Sequence, residues 1–75
     1  MLKADGLDKA VLGVGMRCGK EDILVYSYDK CIKLFMENDK MTYEEAIDWM
    51  EYNVVGAWLG EQTPIFVRDL EDDEL

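Results

Sequence analysis

The chain has 75 residues, a net charge of −9 and a hydrophobic fraction of 49%. This apolar content excludes a disordered chain, and the length allows a single domain near the lower size limit for an unaided core. Charged residues interrupt every apolar run, which excludes a membrane span, and the first residues turn polar too early for a signal peptide. We therefore expect one cytoplasmic domain over residues 1–75.

The first forty residues predict two strands and a helix. Residues 11–17 are β-branched and apolar at first, and their two glycines suggest a bulge or a close backbone approach. After a polar loop of hairpin length, residues 23–26 form an unbroken apolar run typical of a buried strand. Ser27 is then placed to cap a helix, in which Tyr28, Cys31, Ile32, Phe35 and Met36 fall at helical spacing.

The segment from Met41 to Gly60 predicts one long amphipathic helix. Thr42 and Glu45 have the spacing of a capping box, in which each side chain accepts the other residue's backbone amide. Apolar residues then recur at steps of three and four along one face, and Gly60 is a plausible stop.

The last fifteen residues predict a third strand and a tail. Residues 65–67 read as a short strand, and residues 69–75 as a solvated acidic tail. The element order is therefore β-β-α-α-β, which predicts an α+β fold with a small antiparallel three-stranded sheet packed on a helical hairpin. We expect the first strand in the middle of the sheet. The predicted core comprises Val11, Val14, Ile23, Val25, Ile32, Phe35, Ile47, Met50, Val54, Trp58, Ile65 and Val67.

The negative charge is concentrated in the second half of the chain. Residues 1–40 hold seven acidic and seven basic side chains, whereas residues 41–75 hold ten acidic side chains and one basic side chain, Arg68. The whole net charge thus lies on the long helix and the segment that follows it. This asymmetry is the sharpest functional clue in the sequence.

The long helix carries the candidate site. Glu44, Asp48 and Glu51 follow at steps of four and three, a row whose axial spacing of about 4.5 to 6 Å is comparable with that of phosphates along a nucleic-acid strand. Such a row could occupy a basic groove that normally holds nucleic acid, or it could be an ordinary solvated face. Two aromatic residues beside the row, Trp49 and Tyr52, are either half-buried against the edge of the sheet or form an exposed anchor for a partner. The candidate partner-binding residues are Glu44, Glu45, Asp48, Trp49, Glu51 and Tyr52.

The inventory of reactive groups is poor. The chain has no histidine, and its two cysteines lack the partners for a zinc site and are too sparse for a disulfide framework. Gly13 and Gly15 form only part of a dinucleotide fingerprint, and no acidic cluster fits a calcium loop. We expect no enzyme activity, no cofactor and no bound metal. Direct nucleic-acid binding is not expected either, because every phosphate would face a strongly acidic protein, and the interrupted apolar runs predict no membrane partner.

Several segments resemble a group of small accessory proteins of tailed bacteriophages and related marine viruses. The resemblance is carried by residues 5–8, 25–26, 41–46, 53–58 and 60–64, and it covers about residues 4 to 67. The group has no assigned activity, so the resemblance implies a viral origin and no functional residue. It implies a protein that acts on host or viral macromolecules in the host cytoplasm.

These observations predict a non-catalytic acidic module that binds a basic protein surface. A host nucleic-acid-handling or immune complex is the expected target, and an anti-CRISPR-like or nucleic-acid-mimic inhibitor is one concrete form. The alternative is a self-associating accessory or structural protein that forms a homodimer. A third hypothesis, a small thiol-dependent enzyme, requires a reactive Cys18 beside Arg17 and Lys20.

Overall fold

The computed structural model describes residues 1–57, 60, 62–70 and 73–74, and it has an α+β fold. The predicted order of strands and helices, β-β-α-α-β, is confirmed. Among the described residues, no helix is both long enough and apolar enough to cross a membrane. The elements are a 3₁₀ turn (Asp8–Ala10), β1 (Val11–Gly15), β2 (Ile23–Ser27), α1 (Tyr28–Asn38), α2 (Tyr43–Trp49), a π-helix (Met50–Val55) and β3 (Ile65–Val67).

Both helices begin where their capping residues predict. The Ser27 hydroxyl accepts the backbone N–H of Lys30 at 3.2 Å, which fixes the start of α1. At α2, the Thr42 hydroxyl accepts the Glu45 amide at 3.2 Å, and the Glu45 carboxylate accepts the Thr42 amide at 2.9 Å. The capping box therefore satisfies two helix-terminal amides that would otherwise lack a protein partner.

The sheet is mixed, and its strand order differs from the prediction. β1 and β2 pair antiparallel, but β2 and β3 pair parallel, so β2 lies in the middle. A parallel pair requires a long crossover, and residues 28–64 supply it. Gln62 near the end of this crossover donates a hydrogen bond to Glu21, just before β2 begins. The chain thus returns to the start of β2 before entering β3, and this makes the two strands parallel.

The long helix is shorter and less regular than predicted. Its α-helical part ends at Trp49, a π-helix continues from Met50 to Val55, and Gly56 is the C-cap. The amide of Gly56 donates to the Glu51 carbonyl at 3.0 Å, five residues back. A Cβ atom at Gly56 would lie 2.8 Å from that carbonyl oxygen, so the close approach requires glycine. Gly60, the predicted stop, lies outside the helix.

The two glycines of β1 have the two roles that their pattern suggested. The register between β1 and β2 shifts between Val11 and Gly13, which is a β-bulge or another irregularity at the first glycine. Gly15 is the close approach, because a Cβ atom there would lie 2.9 Å from the Cγ2 atom of Val25. The absence of a side chain at Gly15 therefore leaves room for Val25 on the neighbouring strand.

The core lies between the sheet and the helices. Tyr26 of β2 is fully buried, and its ring centroid is 5.4 Å from that of Phe66 on β3. Predicted core residues Ile23, Ile32, Phe35 and Met50 are buried, and Val11, Val25, Ile47 and Val54 are partly buried. The buried core cluster consists of Leu7, Ala10, Tyr26, Cys31, Ile32, Phe35, Ala46 and Met50.

Three predicted core residues are exposed instead. Val14 lies on the outer strand β1, and Ile65 and Val67 flank Phe66 on the other outer strand. Successive side chains of a strand point to opposite faces, and Phe66 packs against the helical side. Ile65 and Val67 therefore face away from the helices. The predicted core residue Trp58 lies outside the described residues.

Candidate protein-interaction site

The structure brings four of the six candidate residues to one shallow groove. Among the described residues, the groove is lined by Met41, Glu45, Asp48, Trp49, Tyr52 and Asn53. We call this surface the Trp49 groove. It runs along the side of α2 and continues onto the π-helix, and its volume is about 330 Å³.

Two aromatic side chains give the Trp49 groove its apolar surface. Trp49 is 47% exposed and Tyr52 is 83% exposed, although both are large enough to be buried. The helix directs Ala46 and Met50 into the core and Ile47 against it, whereas Trp49 and Tyr52 lie at positions around the axis that leave them exposed. Trp49 is thus half-buried, and its exposed half is accessible to a partner. The sequence had left open whether this residue is half-buried or an exposed anchor. Exposed aromatic residues of this kind are the usual anchors of protein interfaces.

The carboxylates near these rings differ in whether they line the groove and in whether they form hydrogen bonds within the protein. Asp48 lines the groove and is exposed, and Glu44 is exposed on the same helix but does not line it. Glu45 lines the groove, yet one of its carboxylate oxygens is occupied by the capping box. Of the two carboxylates that line the groove, Asp48 is therefore the one that takes no part in the capping box.

Glu51, the last residue of the predicted acidic row, does not line the Trp49 groove and is hydrogen-bonded within the protein. Its carboxylate accepts a hydrogen bond from the Tyr28 hydroxyl at 2.9 Å, which ties the π-helix to the start of α1. A π-helix has more residues per turn than an α-helix, so Asp48 and Glu51 lie further apart around the axis than the α-helical spacing implies. Burial of the phenol, reinforced by the hydrogen bond to Glu51, raises the pKa of Tyr28 to about 12.

The single base in the second half of the chain is engaged by the tail. Arg68 donates to the two carboxylate oxygens of Glu74 at 2.8 and 2.7 Å. This pair connects the tail to the residue after β3, the described tail residues 69–70 and 73–74 are exposed, and the rest of the tail lies outside the described residues. The bidentate pair neutralises the charge of Arg68 locally.

The two cysteines occupy different environments. Cys31 is buried in the core, and this burial raises the pKa of its thiol to about 11, so it is not a nucleophile near neutral pH. Cys18 is exposed in the loop between β1 and β2. Within the described part of the chain, no group of three or more histidine, cysteine or acidic residues could hold a metal ion.

Sequence reasoning missed two residues of the Trp49 groove. Asn53 follows Trp49 by four residues, so helical spacing alone could have placed it on the same side. Met41 precedes the helix cap, where no helical period applies, and it lines the groove because the chain folds back at the turn after α1. The amide of Met41 donates to the Phe35 carbonyl at 3.4 Å in that turn.

Comparisons with family models, curated proteins and solved structures find no match to this chain.

Proposed function

We propose that the protein is a non-catalytic acidic module that binds a basic surface of another protein through the Trp49 groove. The observation that carries this proposal is the exposed Trp49 and Tyr52 pair with the carboxylates of Glu45 and Asp48 around it. Interfaces are anchored by Trp and Tyr, and charge complementarity selects the partner and steers the encounter.

The charge distribution supports a basic partner. All of the net charge lies in residues 41–75, and the only base there, Arg68, is paired with Glu74. Lysine and arginine side chains of a partner would meet the carboxylates of Glu45 and Asp48, and the described residues that line the groove include no base. The interaction is expected to weaken as salt is added, because the charges are exposed.

The proposed target is a nucleic-acid-handling or immune complex of the host cell. The resemblance to phage accessory proteins supports this choice, and the acidic helix would occupy the groove that the partner uses for phosphates. An anti-CRISPR-like inhibitor is one form of this proposal. The partner's own nucleic acid should then compete with the module for the same surface.

Reversing two charges tests the proposal. We expect Glu44→Lys with Asp48→Lys to reduce capture of the partner from host lysate by at least about tenfold, since close charge pairs at interfaces couple by more than 1 kcal/mol. Glu45 and Glu51 are left unchanged because they hold the helix start and Tyr28. Capture is measured by quantitative mass spectrometry, and added duplex DNA should release the same proteins.

The matched control raises the net charge equally at another place. Asp22→Lys with Glu37→Lys changes two exposed acids outside the Trp49 groove, so it should leave capture within about twofold. Circular dichroism establishes that both double variants are folded. Equal capture by wild type and the Glu44→Lys, Asp48→Lys variant would contradict the proposal.

A second candidate function is self-association through β1. This outer strand and the residue after it expose three apolar side chains, Leu12 at 54%, Val14 at 50% and Met16 at 84%, and residues 11–16 carry no charge. An unprotected outer strand can pair with the same strand of a second copy. If it does, sedimentation should show a dimer at about 100 μM, and Val14→Lys should return the protein to a monomer.

A further inference from the structure

A second cavity adjoins the Trp49 groove and is more enclosed. It has a volume of about 340 Å³ and lies between the first residues of the chain, the π-helix and the approach to β3. Its apolar walls include Leu7, Phe35, Val54, Pro64 and Phe66. We call this cavity the inner pocket.

The inner pocket and the Trp49 groove form one continuous surface. Trp49 and Asn53 line both of them, so these two residues join the inner pocket to the Trp49 groove. The groove adds the carboxylates of Glu45 and Asp48, and the inner pocket adds the apolar side chains named above. A partner that contacts Trp49 therefore meets carboxylates and an apolar cavity at the same place.

We infer that the inner pocket receives one bulky apolar side chain of the basic partner, flanked in the partner by lysine or arginine residues that lie over the Trp49 groove. This inference rests on the proposed function and specifies the sequence that the module recognises. The volume is at the small end of the range of ligand pockets, which suits one large side chain rather than an extended cofactor. A flanking base would also lie near the indole face, where cations are attracted.

The polar groups at the inner pocket suit a peptide ligand. Lys3 is paired with Asp8 at 3.3 Å, and the Thr63 hydroxyl donates to the Gly60 carbonyl at 2.7 Å, so both are already engaged. Asp5 and Asn53 also line the space, as a carboxylate and an amide. The amide could bond a peptide backbone, and the carboxylate could pair with a flanking base.

Short peptides of defined sequence provide the test. We expect acetyl-Lys-Phe-Lys-amide to shift the backbone amide NMR signals of Leu7, Asn53, Val54 and Phe66, with a Kd of about 1 mM. Acetyl-Lys-Ala-Lys-amide lacks the anchor and acetyl-Glu-Phe-Glu-amide reverses the flanking charge, so each should bind at least about tenfold more weakly. Equal shifts with all three peptides would overturn the inference.

Filling the inner pocket separates this inference from the proposed function. Ala57 lines the cavity, so Ala57→Leu should abolish the shifts, whereas Val55→Leu, at an exposed residue outside the lining, should retain them. Ala4→Leu fills the same space from the first segment of the chain and serves if Ala57→Leu does not fold.

The pocket-filling variants and the charge-reversal variant test the inner-pocket inference and the proposed function separately. If pocket-filling variants bind the first peptide like wild type while Glu44→Lys with Asp48→Lys loses capture of the partner, the inner-pocket inference is wrong and the proposed function stands. If the charge variant retains capture, the proposed function itself fails. Signals of the inner pocket that broaden with protein concentration and without peptide would show a second copy there, and would also overturn the inference.

Discussion

Tyr26→Ala is expected to lower the free energy of unfolding by about 3 to 5 kcal/mol, as is typical of a truncated core aromatic residue. Tyr26 lies in the central strand, is completely buried, and packs against Phe66 on the neighbouring strand. A domain of this length has a total stability of about 4 to 11 kcal/mol, so the loss is a large part of it. The melting temperature should fall by about 12 °C or more.

Tyr26→Phe separates the packing of the ring from the hydrogen bond of its hydroxyl. That hydroxyl accepts the backbone amide of Ala4 at 2.9 Å and so connects the first segment of the chain to the sheet. Losing this bond should cost about 1 to 2 kcal/mol. Denaturant unfolding followed by circular dichroism measures both variants. An alanine variant as stable as the phenylalanine variant would contradict the assignment of Tyr26 as the centre of the core.

Trp49→Ala is expected to weaken binding to the basic partner by about 30-fold to 1000-fold, which corresponds to about 2 to 4 kcal/mol for an interface anchor. Trp49 is half-exposed and lines both the Trp49 groove and the inner pocket, so truncation removes a surface from both. Because only part of the ring is buried, stability should fall by about 1 to 2 kcal/mol, less than for a fully buried aromatic residue.

Tyr43→Ala is the matched control for Trp49→Ala. Tyr43 is an aromatic residue of the same helix, is 60% exposed, and lies outside both the groove and the inner pocket. Its truncation should leave affinity within about twofold. Binding is measured by titration calorimetry once the partner has been captured. A stability loss of about 3 to 5 kcal/mol for Trp49→Ala would identify this residue as core, and the interface argument would then fail.

The candidate site was only partly predictable from the sequence. Helical spacing placed Trp49 and Tyr52 off the core face, beside the acidic row that contains Asp48, and the structure brings these three residues to one groove. The hydrogen bond from Tyr28 to Glu51 joins residues 23 positions apart, and no helical period reports such a contact. The inner pocket is also assembled from segments far apart in the chain, so no local pattern indicates it.

The sequence by itself determined the features that depend on neighbouring residues. The helix caps at Ser27 and Thr42 follow from interactions within a few positions, and the order of strands and helices follows from local patterns along the chain. The concentration of acidic residues in the second half is likewise a property of the sequence alone.

Only the tertiary structure decided which strand is central and which apolar residues are buried. Residues 65–67 are all apolar, so their pattern does not indicate the face that the helices cover, and only the packing of Phe66 on Tyr26 shows it. The parallel pairing of β3 likewise depends on the path of the crossover. Strand pairing and burial depend on contacts between distant segments, and those contacts exist only once the chain has folded.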